Sequence, residues 1–183
     1  MSLDKYELAE KIASSVLIAG SYRHKPADVY MGLEMSEKLG VNLGEFLNNV
    51  YISGGKPCMT TALMISLVNR SGKFKEPIQF ISKGEGDSLE VTAFAHLQSG
   101  NRVTAGITMK QAHQEGWTRN KMYQSLPELM LRYKSAAFLI RTFAPEVTLS
   151  GIHSVEEMQD VEAKSLPDSN NKINKLNQTL NKG

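Results

Sequence analysis

Lys134 and Arg141 are the residues whose spacing most clearly suggests chemistry. They stand seven positions apart in a stretch that reads as helix. Seven residues bring a helix nearly back to the same face, so the two cations would lie in line about 10 Å apart. That spacing suits an extended polyanion backbone. Arg132, two positions before Lys134, diverges by about 200°. Just upstream, Gly116-Trp117-Thr118-Arg119-Asn120-Lys121-Met122-Tyr123 interleaves cations with aromatic rings. Rings that stack on bases and cations that hold phosphates are the working parts of single-strand binders. Trp117 and Tyr123 equally suit core anchors. Lys56 on a glycine turn, Arg70, Lys73, Lys75 and Lys110 are further cations. Glycines at such a turn let backbone amides approach phosphate oxygens.

The chemistry an enzyme needs is not assembled in the sequence. The histidines His24, His96, His113 and His153 have no partners at metal-ligand spacing, and no Cys-x-x-Cys pair or His-Glu-x-x-His run occurs. Ser53-Gly54-Gly55-Lys56 ends in Pro57, where a nucleotide-binding loop needs Ser or Thr for magnesium. Gly84-Glu85-Gly86 carries an acid that would repel a pyrophosphate, and reads as a turn. The single cysteine, Cys58, excludes an intramolecular disulfide and suits a small buried residue. Glu85 with Asp87 is the best acidic pair for a metal-dependent nuclease, but both fall on an expected hairpin tip. No catalytic residue, metal or cofactor is expected.

Charge placement says more than net charge. The 183 residues carry +2 overall. Between Val91 and Pro145, seven basic residues face two acids, a local +5, flanked by segments of −1 and −2. A basic block of this kind suggests a local anionic partner, although solvated surface lysines give the same count. The opening segment is broken by Lys5, Glu7, Glu10 and Lys11, unlike a signal peptide, and no apolar run reaches the roughly 20 residues of a membrane span. A soluble, cytoplasmic protein with no membrane partner is expected.

The positioning elements follow from periodicity. Helices are expected over Leu3–Ala19, Pro26–Leu39, Leu43–Asn48, Thr60–Asn69, Lys110–Gly116 and Pro127–Phe143, with another starting at Ser154-Val155-Glu156-Glu157. Val50-Tyr51-Ile52 reads as a strand entering the glycine turn. Ile78–Ile81, Leu89–Leu97 and Arg102–Met109 are β-branched or alternating, and are joined by turn residues. The expected fold is α+β: an antiparallel three-stranded meander plus an N-terminal hairpin strand, packed with several helices including a long one at about 127–143. One domain should occupy 1–164, and 165–183 should be a flexible polar tail.

Three blocks resemble the RecT/Redβ class of single-strand DNA-annealing proteins from phage recombination systems. They are Asn49-Val50-Tyr51-Ile52-Ser53-Gly54-Gly55-Lys56-Pro57 with the apolar helix running to Gly72; Ile107-Thr108-Met109-Lys110-Gln111-Ala112 through Trp117; and Pro127 through Ala137 with Arg141, Phe143, Pro145 and Val155-Glu156-Glu157. Together they cover roughly residues 30–160. The resemblance implies ATP-independent binding and annealing of single-stranded DNA in homologous recombination and repair, through rings or filaments formed on the annealed duplex intermediate. It implies a bacterial host cytoplasm, and a phage exonuclease and host single-strand-binding protein as further partners. It assigns DNA contacts to Lys56, Lys134 and Arg141; local charge adds Arg70, Lys110, Arg119, Lys121 and Arg132, and local aromaticity adds Trp117. The chain departs from the class in having Lys134 where arginine is common, Met59-Thr60-Thr61 after the turn, and a short tail. The alternatives are a passive single-strand binder or loader, a nuclease using Glu85 and Asp87, and an interaction protein with no DNA role.

Overall fold

In the computed structural model, residues 3–53, 55–149 and 152–165 are described. The chain opens with α1, Leu3–Ala13, which stops six residues short of the expected end. Ser14 and Ser15 account for the stop. The Ser14 hydroxyl donates to the Lys11 carbonyl, and the Ser15 hydroxyl accepts from the Leu17 amide, so both compete with the helix. Helix α2, Pro26–Leu39, begins with proline at its first turn and ends at Gly40, whose φ of 64° only glycine adopts cheaply. It packs on α1 through Tyr6–Tyr30 and through Lys5, which bonds Glu34 and Glu37.

Asn42 caps α3, Leu43–Asn49, which leads into a hairpin of β1, Val50–Ser53, and β2, Lys56–Met59. The turn between them includes Gly54, which lies outside the described residues. A two-residue strand, β6 at His153–Ser154, adds parallel to β2 and pairs Cys58 with His153. Sequence periodicity missed both β2 and β6, because each is too short to show an alternation. Thr60 caps α4, Thr61–Arg70, whose apolar face is buried.

The second sheet is the expected meander of β3, Gln79–Lys83; β4, Glu90–His96; and β5, Arg102–Thr108. Val91, Ala93 and Ala95 of β4 are fully buried. After β5 come α5, Met109–Gln114, and the short α6, Met122–Ser125. Helix α7, Pro127–Phe143, covers the sheet face that β4 and β5 bury. Ser135, Ala136 and Ala137 are fully buried, and side chains this small let helix and sheet approach closely.

The fold is α+β, and α7 holds its two cores together. Leu139 and Ile140 belong to a core shared with α1–α4 and the hairpin, while Met130 and Leu131 join Leu89, Val91, Ile107 and Tyr123 in a second. The chain ends its described course in α8, Val155–Ser165, which packs on α7. The expected tail from 166 onward lies outside the described residues, and the expected boundary at 164 falls in the last turn of α8.

Candidate nucleic-acid interface

The expected exposed cationic edge of α7 is not there. Lys134 is only 5 % exposed, and its Nζ donates to Asp160 Oδ2 at 2.5 Å. Asp160 also accepts from Tyr123 Oη at 3.2 Å and from Asn120 Nδ2 at 3.2 Å. The ammonium lies 4.1 Å from the centroid of the Trp117 ring. A buried charge persists only when paired and hydrogen-bonded, and Lys134 is both. Two turns along, Arg141 holds Glu157 with two guanidinium bonds, Nη2 to Oε1 at 2.7 Å and Nη1 to Oε2. Glu157 also accepts from the Ser154 amide at 3.0 Å. Burial alone would push the Glu157 carboxyl up; Arg141, the Ser154 amide and Lys134 outweigh it and hold the group below its ordinary range. The Tyr123 phenol is pushed far up, first by burial and then by the Asp160 charge.

The seven-residue spacing therefore does align Lys134 and Arg141, but along the seam with α8. Glu157 and Asp160, three apart on α8, meet them there. The physical reason for the correction is that a helical period shows which residues share a face, not what covers it. The one signal available was Glu157 and Asp160, an acid pair at helical spacing that matches the cations.

The other expected contacts divide into paired, structural and free groups. Arg132 is exposed but bonds Glu128 at 2.9 Å and lies 5.5 Å over Phe80. Trp117 is half-buried against the second core and Tyr123 is buried, so both serve as anchors and the Trp117 ring is taken by Lys134. Trp117 is thus not an open stacking platform. Lys56, Arg70, Lys110, Arg119 and Lys121 are exposed. None of these five has an ion pair among the described residues.

Two of these cations meet in a groove, Lys121 and Arg119, whose Nη1 also donates to the Lys164 carbonyl at 3.0 Å. Arg119 and Lys121 line a cavity of about 750 Å³ with Asn120, Gln159 and Glu162. A second cavity of about 400 Å³, lined by Tyr51, Thr60, Tyr133 and Glu156, adjoins it and shares Met122 and Gln159. The Lys56 hairpin borders the groove, since Ser53 Oγ donates to Glu162 Oε1 at 3.1 Å. Glu156 is occupied by the Thr61 amide and hydroxyl. Arg70, Lys110 and Arg132 line neither cavity. Sequence reading missed Tyr51, Tyr133 and Met122 here, because they come from three separate elements.

The acids of the nuclease alternative sit in water. Asp87 Oδ1 is 3.2 Å from His113 Nε2, and His113 Nδ1 is 3.2 Å from Thr118 Oγ1. This carboxylate–imidazole–hydroxyl chain is open to solvent, with Asp87 93 % exposed. No group of three or more His, Cys, Asp or Glu is placed to hold a metal among the described residues. Cys58 is buried, which pushes its thiol up.

No family model, curated protein or solved structure matches this chain. The chemical content of the interface is a groove with cations at one end, aromatic rings at the other, and a wall fixed by two ion pairs between α7 and α8. Among the described residues no helix is long and apolar enough to cross a membrane.

Proposed function

We propose that this chain binds single-stranded DNA and anneals complementary strands without ATP, as a RecT/Redβ-like protein of phage-type recombination in the bacterial cytoplasm. One observation carries the reading beyond the sequence resemblance. The groove that joins Arg119 and Lys121 to Tyr51 and Tyr133 draws on all three blocks of that resemblance or the residues that adjoin them. Cations neutralise phosphates on one strand and so lower the repulsion that a second strand must overcome. Contacts to backbone rather than base edges leave the bases free to pair. Lys134 and Arg141 act by positioning: their ion pairs hold α8 as the groove wall. Few free cations per subunit make single-site binding weak, and self-assembly into a ring or filament adds such contacts by multivalency. An exonuclease and a host single-strand-binding protein are the further partners of this reading.

The test is annealing of labelled complementary oligonucleotides at low salt without nucleotide. The wild-type protein should accelerate it, and Arg119→Glu with Lys121→Glu should abolish the gain. Equal rates with and without protein would overturn the annealing role. Binding without acceleration would leave a passive single-strand binder.

A further inference from the structure

The second sheet has an open face. With Val91, Ala93 and Ala95 of β4 turned to α7, the opposite face carries Glu90, Thr92, Phe94 and His96. Register adds Gln79, Ile81 and Lys83 from β3, and Arg102, Thr104, Gly106 and Thr108 from β5. Every residue of this face is exposed or half-buried. It is about 20 Å long, from six residues of strand rise, and about 10 Å wide, from three strands.

Its chemistry is specific. Phe94 sits on the central strand with Arg102 Cζ 4.2 Å from its ring centroid. A guanidinium lying over a ring offers its own outer plane for stacking, while its N–H groups reach for phosphate. Thr104 and Gln79 flank Phe94 in register. Gly106 keeps the neighbouring row flat, since a Cβ there would stand 3.1 Å from Thr92 Oγ1. Lys83 marks one end. At the other, Lys75 joins Arg102: its amide bonds the His96 carbonyl, and its Nζ lies 3.6 Å from where a Gly100 Cβ would stand. None of these three cations has an ion pair among the described residues. The acids nearby are engaged: Glu90 accepts from Thr92 at 3.3 Å, and Glu76 bonds His96. Those bonds leave both carboxylates in place, so three cations stand against two acids and the formal balance of this face is +1.

We infer that the open face of the β3–β4–β5 sheet is a second contact for single-stranded DNA, in which a base stacks on the Phe94–Arg102 pair and phosphates meet Lys83, Arg102 and Lys75. The inference rests on the DNA-binding reading above. It adds that groove and sheet are separate contacts, so one subunit touches the nucleic acid at two places.

The test uses the full chain with Phe94→Trp and a labelled oligothymidylate, reading anisotropy and the change in indole emission relative to the parent protein. DNA binding should change the emission of the new indole. Phe94→Ala should weaken binding by about tenfold, the loss expected for one stacked base, with the thermal midpoint followed as a fold control. Salt-sensitive binding with no change at the new indole would overturn the sheet contact and leave the groove reading standing. No binding by the parent protein would overturn both. Emission that changes on dilution without DNA would show a second copy of the chain covering this face, and would also overturn it.

Discussion

Lys134 shows how one residue can be read correctly in place and wrongly in role. Its ammonium depends on Asp160 for charge and on the Trp117 ring for a face, whereas Asp160 has two further donors in Tyr123 and Asn120. Removing the two partners should therefore have unequal effects. Asp160→Ala strands a buried ammonium and should cost about 3–5 kcal/mol in urea unfolding. Lys134→Met keeps the stem and leaves Asp160 with its neutral donors, so it should cost clearly less. Equal losses would mean that Tyr123 and Asn120 do not support the carboxylate.

At the scale of the element, α8 is fastened by charge. Its Val161 is exposed, and its half-buried Glu157 and buried Asp160 make ion pairs with α7. Glu157 is held below its ordinary range when folded, so it binds protons more readily unfolded. Its contribution is present above the unfolded carboxylate value and is lost as pH falls through the lower folded one. Unfolding measured from neutral pH into the acid range should show that loss, and Glu157→Gln should flatten it. An unchanged acid profile in the variant would place the sensitivity elsewhere. Helix α7 was legible in full because Pro127 and Pro145 bracket a long apolar period. Helix α1 was overextended because an apolar period continues past Ser14 and Ser15, whose hydroxyl bonds end the helix.

Across the whole molecule, the basic block loses much of its nominal charge to internal partners. Of its seven cations, Arg132, Lys134 and Arg141 hold Glu128, Asp160 and Glu157. That leaves Arg102, Lys110, Arg119 and Lys121 as the four cations of the block without an ion pair among the described residues. With Lys75 and Lys83 of the sheet face added, and Lys110 left out because it lines neither contact, about five phosphates per subunit should be met, so the slope of log affinity against log salt should be roughly −3.5 for a single strand. A slope near −1.5 would mean that only Arg119 and Lys121 meet phosphate and that the sheet face takes no part. The four are spread between the sheet face, α5 and the groove, so no single surface carries them all.

The sequence by itself determined the class of fold, the meander, both limits of α7 and the alignment of Lys134 with Arg141. These are local properties: period, turn residues and proline positions act within a few residues, and one chain displays them. Only the tertiary structure decided what lies against each face. Asp160 meets Lys134 from 26 positions away, and Glu157 meets Arg141 from 16, after the intervening chain has folded back. The same return turns a presumed DNA-facing edge into a seam, brings Tyr51 and Tyr133 to one groove, and leaves Phe94 and Arg102 on an uncovered sheet. Burial and pairing belong to the packed whole, and a period along the chain does not contain them.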